Sequence, residues 1–258
     1  MVNPLESAEF SRNENPVRYL DDSTLRRPRT IPYKFRFIMA VFVLAAAILG
    51  GKVLLDVVDD VINAPKREVE ATQHNLMRDI AFDVPVLTNV IQSDDASIMT
   101  SFHDLGYTFY EITSFEETEG NGFEIFKIPT DMSLEEASIY YTKGISSLRS
   151  SEAAKLLKGS WMMSVGRSGY LDMKVKYCDF DSGSVETAVT NGVAQQLLNE
   201  SNLGESGVDS AGNTFQKGTV NVNGVDYNWQ VSSCPLSEIY SVDGLPTTAA
   251  YVVVRMYL

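Results

Sequence analysis

At 258 residues the chain has room for one sizeable domain, or two small ones, beside any membrane segment. Apolar residues make up 44% of it and aromatic residues 10%, enough for a real core, which excludes a wholly disordered chain. Charge is uneven: residues 1–36 hold seven Lys/Arg and five Asp/Glu, whereas the remainder holds 14 basic and 29 acidic residues, and a domain so acidic repels nucleic acid.

Residues 1–36 contain Pro4, Pro16, Pro28 and Pro32 and no apolar period, the composition of a disordered cytoplasmic tail. The end of that tail, Ser23–Arg36, carries Arg26, Arg27, Arg29, Lys34 and Arg36 and no acid. The positive-inside rule keeps these five residues cytoplasmic, against anionic lipid head groups. Phe37 to Gly51 is then an unbroken run of apolar residues and glycine, which Val53–Leu55 extends past Lys52. A bilayer core takes roughly 20 helical residues, with a lower limit near 17. Phe37–Leu55 reaches that length if Lys52 snorkels toward the head groups. Asp56, Asp59 and Asp60 open the far side. The expectation is a signal-anchor over 37–55 in the plasma membrane, single-pass, amino terminus inside and bulk extracytoplasmic. The alternative is a cleaved leader and a secreted protein, because the run also fits the apolar region of a signal peptide. Against it, the one small-x-small site, Ala45-Ala46-Ala47, lies inside the run, and Ala64 is followed by Pro65.

Residues 56–81 read as a helical stalk. Lys52, Asp56, Asp59, Asp60 and Asn63 recur at helical spacing, opposite Leu54, Val57, Val58, Val61 and Ile62. Pro65 suits the first turn of a new helix, and Val69, Leu76, Met77 and Ile80 make a second apolar stripe. Such a stalk either packs on its own domain or meets a protein partner, including a second copy as a homodimer. There are too few heptads for a coiled coil.

The folded domain is expected over 82–258. Asp95–Leu105 is a short helix ending near Gly106, followed by strands near Tyr107–Phe115 and Phe123–Ile128 joined through "EETEGNG". "SLEEASIYYTKGISSL" is a helix capped by Asp131 or Ser133, with Ser133 and Glu136 as a capping box. A shorter helix follows at Ser151–Lys158. Trp161–Val165 and Leu171–Cys178 form a hairpin turning at Arg167-Ser168-Gly169, and Val185–Asn199 is a helix capped by Ser184. "NLGESGVDSAG" reads as a loop. Phe215–Val222 and Val225–Ser233 form a hairpin whose Asn223-Gly224 supplies the positive φ angles of a tight turn. "TTAAYVVVRMYL" is a closing strand with Thr248, Ala250, Val252, Val254, Met256 and Leu258 on the buried face. Strands joined by short turns and amphipathic helices that need a cover predict an α+β fold: a two-layer domain of mostly antiparallel sheet with helices on one face.

Motifs of known chemistry are scarce. The two histidines, His74 and His103, fall in different elements, and no HExxH, CxxC, Walker loop, GxGxxG or GxSxG occurs. No metal and no cofactor is expected. "CDFDSGSVE", Cys178 to Glu186, pairs Asp179 with Asp181 at a strand end. It resembles the paired aspartates of phosphotransferases, but a strand that ends in a turn and caps a helix uses Asp, Ser and Gly for ordinary backbone reasons, and that is the reading adopted. Tyr140, Tyr141, Tyr227, Trp229, Tyr251 and Tyr257 are either groove or core residues. His103, Cys178 and Arg255 occur in the chain order that resembles membrane-anchored cysteine transpeptidases of cell surfaces. The residues before Cys178 depart from that pattern, reading "KVKY" in place of Thr-Leu-x-Thr. Both cysteines fall on the polar face of their strands, in "LDMKVKYC" and "VDYNWQVSSC". Outside the membrane they are expected to form a Cys178–Cys234 disulfide, provided their Cα atoms come within about 4.4–6.8 Å. The functional expectation is a non-catalytic, membrane-anchored binding or scaffold module of the cell envelope, with a cysteine-nucleophile enzyme or a secreted protein as alternatives.

Overall fold

The computed structural model describes Lys52 and residues 59–80, 82–113 and 122–258. The predicted tail (1–36) and, apart from Lys52, the predicted anchor (37–55) lie outside the described residues, as does most of the "EETEGNG" connection. Among the described residues no helix is long and apolar enough to cross a membrane.

Asp60–Leu258 form one compact unit of α+β architecture. Its helices are α1 (residues 59–76), α2 (Asp95–Asp104), α3 (Leu134–Lys143), α4 (Ser150–Leu157), α5 (Val185–Gln195) and α6 (Leu236–Ile239). Its strands are β1 (Phe109–Thr113), β2 (Gly122–Lys127), β3 (Trp161–Gly166), β4 (Asp172–Asp179), β5 (Asn202–Val208), β6 (Thr214–Val222), β7 (Val225–Pro235) and β8 (Ala250–Tyr257). All eight join one antiparallel sheet in the order β1-β2-β3-β4-β8-β7-β6-β5. The carboxyl-terminal strand therefore lies in the middle, hydrogen-bonded to β4 on one side and β7 on the other.

Local sequence accounts for the element ends. Asp94, Ser133 and Ser184 accept backbone N–H groups at the starts of α2, α3 and α5, satisfying donors that a helix start leaves free. The expected capping box at α3 is only half formed, because the Glu136 carboxylate turns to Lys155, 2.7 Å away. Asn223 and Gly224 take φ values of 50° and 87° in the β6–β7 turn, as the hairpin requires.

The expectation of helices on one face is corrected. Strand residues of one phase, among them Trp161, Met163, Val175, Trp229, Val231 and Val254, pack with Ile98 and Phe102 of α2 and with Ala188, Val189 and Val193 of α5. On the opposite face Phe126, Met162, Cys178 and Tyr251 pack with Ala137 of α3, Ala153 and Leu156 of α4 and Leu236 of α6. The second face is apolar only toward one end of the strands. Along β4 it reads Asp172, Lys174, Lys176 and then Cys178, so alternation conceals a face that changes character along its length. Within β8, Ala250, Val252, Val254 and Met256 are fully buried as expected, whereas Thr248 and Leu258 lie outside the strand and are exposed.

Three boundaries also move. Within the predicted stalk, residues 59–76 form one continuous helix through Pro65 rather than a new helix starting there. The helix expected to run on past Lys143 stops at Gly144, and "NLGESGV" is not loop but the edge strand β5, exposed throughout.

Candidate functional site

β4 ends in the turn that the sequence singled out. Asp179 Oδ1 accepts the backbone N–H groups of Asp181 and Ser182 at 2.9 and 2.8 Å, and its Oδ2 accepts the Ser182 hydroxyl. The Asn191 amide donates to the same hydroxyl at 2.8 Å, and Ser184 then caps α5. Asp179 thus spends both oxygens on folding its own turn, the ordinary backbone role of Asp at a strand end. Among the described residues no group of three or more His, Cys, Asp or Glu could hold a metal ion.

That turn forms one side of a cleft of about 360 Å³. β4 contributes Tyr177, Cys178 and Asp179, the turn adds Phe180, Asp181 and Ser182, and α5 adds Asn191 and Gln195. Opposite stand Lys158 and Gly159, just past α4, and Ile80 and Phe82 from the linker that follows α1. Phe82 meets Tyr177 edge to face with ring centroids 5.0 Å apart. Gly159, at φ 80°, lets the linker come this close, since a Cβ there would lie 2.5 Å from Cγ2 of Ile80. Lys158 donates to the Leu76 carbonyl and lies 3.6 Å from the Asp181 carboxylate. Burial, reinforced by the Asp179 charge, pushes the Tyr177 phenol up from its ordinary value.

The linker and α1 are held to the domain by polar contacts that range from buried to exposed. Lys127, fully buried, reaches Asp83 Oδ1 and the Gly159 carbonyl, each at 3.0 Å. The Asp83 carbonyl accepts from Tyr107 and Trp161, and burial plus the Asp83 charge pushes the Tyr107 phenol up to about 12. Upstream, Glu68 accepts the Ser151 N–H at 2.8 Å, Thr72 pairs with Ser150 and Asn75 donates to the Ser151 carbonyl. Arg78 donates to both oxygens of Asp131 and to the Lys155 carbonyl. Of the two expectations for the stalk, packing on its own domain is what the described residues display.

The expected disulfide is corrected. Cys178 and Cys234 share a face, as the alternation implied, but each is paired with Tyr251 from opposite sides of β8. One whole strand separates them, which puts their Cα atoms about 9.6 Å apart, beyond the reach of a disulfide. Both are free and buried.

His103, Cys178 and Arg255 are not brought together. His103 is exposed on α2, against Phe109, on the opposite side of the sheet from Cys178. Arg255 lies four residues along β8 from the partner of Cys178, about 13 Å away, and its guanidinium is held by Asp172 at 2.8 Å. Burial, with the Asp179 charge, pushes the Cys178 thiol up, away from the thiolate that a nucleophile needs. The aromatic residues do not converge either: Tyr227 and Trp229 lie in the core under α5, Tyr140, Tyr141 and Tyr251 pack on the other face, and Tyr257 stacks under Arg255.

Searches against protein-family models, curated proteins and solved structures found no match to this chain. The cleft was only partly visible beforehand. "CDFDSGSVE" marked its turn, but Ile80, Phe82 and Lys158 come from remote segments, and nothing local announces their meeting.

Proposed function

We propose that the chain is a membrane-anchored, non-catalytic binding module of the cell envelope, and that the cleft at the end of β4 is where it binds. On this reading 37–55 forms a single transmembrane helix, the amino terminus is cytoplasmic, and the α+β domain is extracytoplasmic. Arg26, Arg27, Arg29, Lys34 and Arg36 rest against anionic head groups. The observation that carries the binding reading is the make-up of the cleft, one wall of which is the linker that follows α1. Its volume falls in the range of small-molecule sites, and it combines aromatic walls with a few polar groups. The separation of His103, Cys178 and Arg255, and the buried thiol, favour binding over cysteine catalysis. Ile62 and Val69 on α1, and Met77 just past its end, remain exposed, an apolar stripe through which two copies could meet.

Cysteine labelling in intact cells tests the reading. With both native thiols buried, Ser11→Cys and Asp243→Cys variants are treated with a membrane-impermeant maleimide. Asp243→Cys, at an exposed position, should label in intact cells and Ser11→Cys only after lysis. Equal protection of both before lysis would place the domain inside and overturn the proposal.

A further inference from the structure

The cleft combines aromatic walls with an excess of negative charge. Phe82, Tyr177 and Phe180 supply rings, and Asp179 and Asp181 supply carboxylates. Among the described residues Lys158 is the one basic residue lining it, already engaged with the Leu76 carbonyl and the Asp181 carboxylate. Tyr177 adds an independent sign of a ligand. It is only 4% exposed, it lines the cleft, and its hydroxyl makes no hydrogen bond among the described residues. Its oxygen is not sealed off with the ring, so it stays open to the cleft and is available to a ligand's polar group. Gly192 of α5 keeps the space beside it clear, since a Cβ there would lie 3.1 Å from the hydroxyl oxygen.

An anion entering here meets two carboxylates and no uncommitted cation. A cation meets aromatic faces and carboxylates together, the combination that recognises organic ammonium groups. We infer that the cleft takes a small organic cation with a flat apolar body, its ring against Phe82 and Phe180, its charge toward the Asp181 carboxylate in the added negative field of Asp179, whose oxygens remain bound to their own turn, and a polar group on the Tyr177 hydroxyl. The inference rests on the reading that the cleft is the binding site, and adds the class of ligand.

The test uses the full chain in nanodiscs of zwitterionic lipid and three probes that share one phenol ring: tyramine (cationic), tyrosol (neutral) and 4-hydroxyphenylacetate (anionic). Titration calorimetry should rank them in that order, with tyramine at least about tenfold tighter than the anion. Gln195→Trp, which fills the cleft from α5, should abolish tyramine binding, and saturating tyramine should slow amide exchange across residues 78–83. Anion binding as tight as that of tyramine would overturn the cationic assignment while leaving the site intact. Binding unchanged in Gln195→Trp, or no binding of any probe, would overturn the site itself.

Discussion

Lys127 is the least expected residue of the fold, a lysine with no exposed side-chain surface. Its ammonium is stabilised by Asp83 and by the Gly159 carbonyl, and it lies 5.5 Å from the centre of the Tyr107 ring. Removing it strands a carboxylate and a carbonyl and leaves a hole. Lys127→Ala should therefore cost about 2–3 kcal/mol, below the usual range for a broken buried pair because the Asp83 side chain is 36% exposed. Urea unfolding measures this, and an unchanged midpoint would contradict the role given to the pair. Glu68 carries a pH dependence. Burial alone would raise its carboxyl, but the Ser151 hydrogen bonds and the Arg149 charge outweigh that and hold it below its ordinary 4.5. A lowered carboxyl stabilises the folded state above the unfolded value and loses that contribution as pH falls through the folded one. Glu68→Gln should thus be less stable than the native chain at pH 7, the difference shrinking only as pH falls below 4.5 and through the lowered folded value, as followed by melting temperature. Curves that stay parallel down to pH 3 would mean that Glu68 does not latch α1. Neither residue's role was legible in the sequence, because their partners lie 44 and 83 positions away and a polar pair leaves no periodic trace.

Elements whose signal is local were legible. The β6–β7 hairpin, the caps at Ser133 and Ser184, and the buried phase of β8 each depend on residues a few positions apart. β5 was not legible, since every residue of "NLGESGV" is exposed and only pairing with β6 makes it a strand. The cysteines show the same division: alternation put both on one face, though at its buried rather than its polar end, whereas the insertion of β8 between β4 and β7 is a property of topology. The unreduced and reduced proteins should therefore have the same mass, and both thiols should react with iodoacetamide only after denaturation. A Cys178–Cys234 crosslinked peptide would refute the strand order. The central place of β8 sets a further expectation. Val252, Val254 and Met256 are fully buried, each worth roughly 1.5–3 kcal/mol against a total stability of about 5–15 kcal/mol. Deleting Val252–Leu258 should abolish the cooperative thermal transition seen by circular dichroism, and a truncated chain that melts as the full one does would contradict that placement.

At the scale of the molecule, the sheet is covered on both faces, and the cleft lies where β4, α5, the end of α4 and the linker meet. A strong apolar period told of one buried face. The second is buried over only part of its length, which a strand-by-strand alternation does not reveal. The cleft is a product of four remote segments, and only its turn was foreshadowed by "CDFDSGSVE". The proposed anchor, Phe37–Leu55 with the basic stretch before it, would hold this cleft at a membrane. Amino-terminal sequencing and intact mass of the protein extracted from the membrane fraction show whether that anchor stays on the mature chain. A retained anchor gives a chain that keeps residues 1–55 and partitions with the membrane, whereas a mature terminus near Ile48 or Pro65 would refute the proposal.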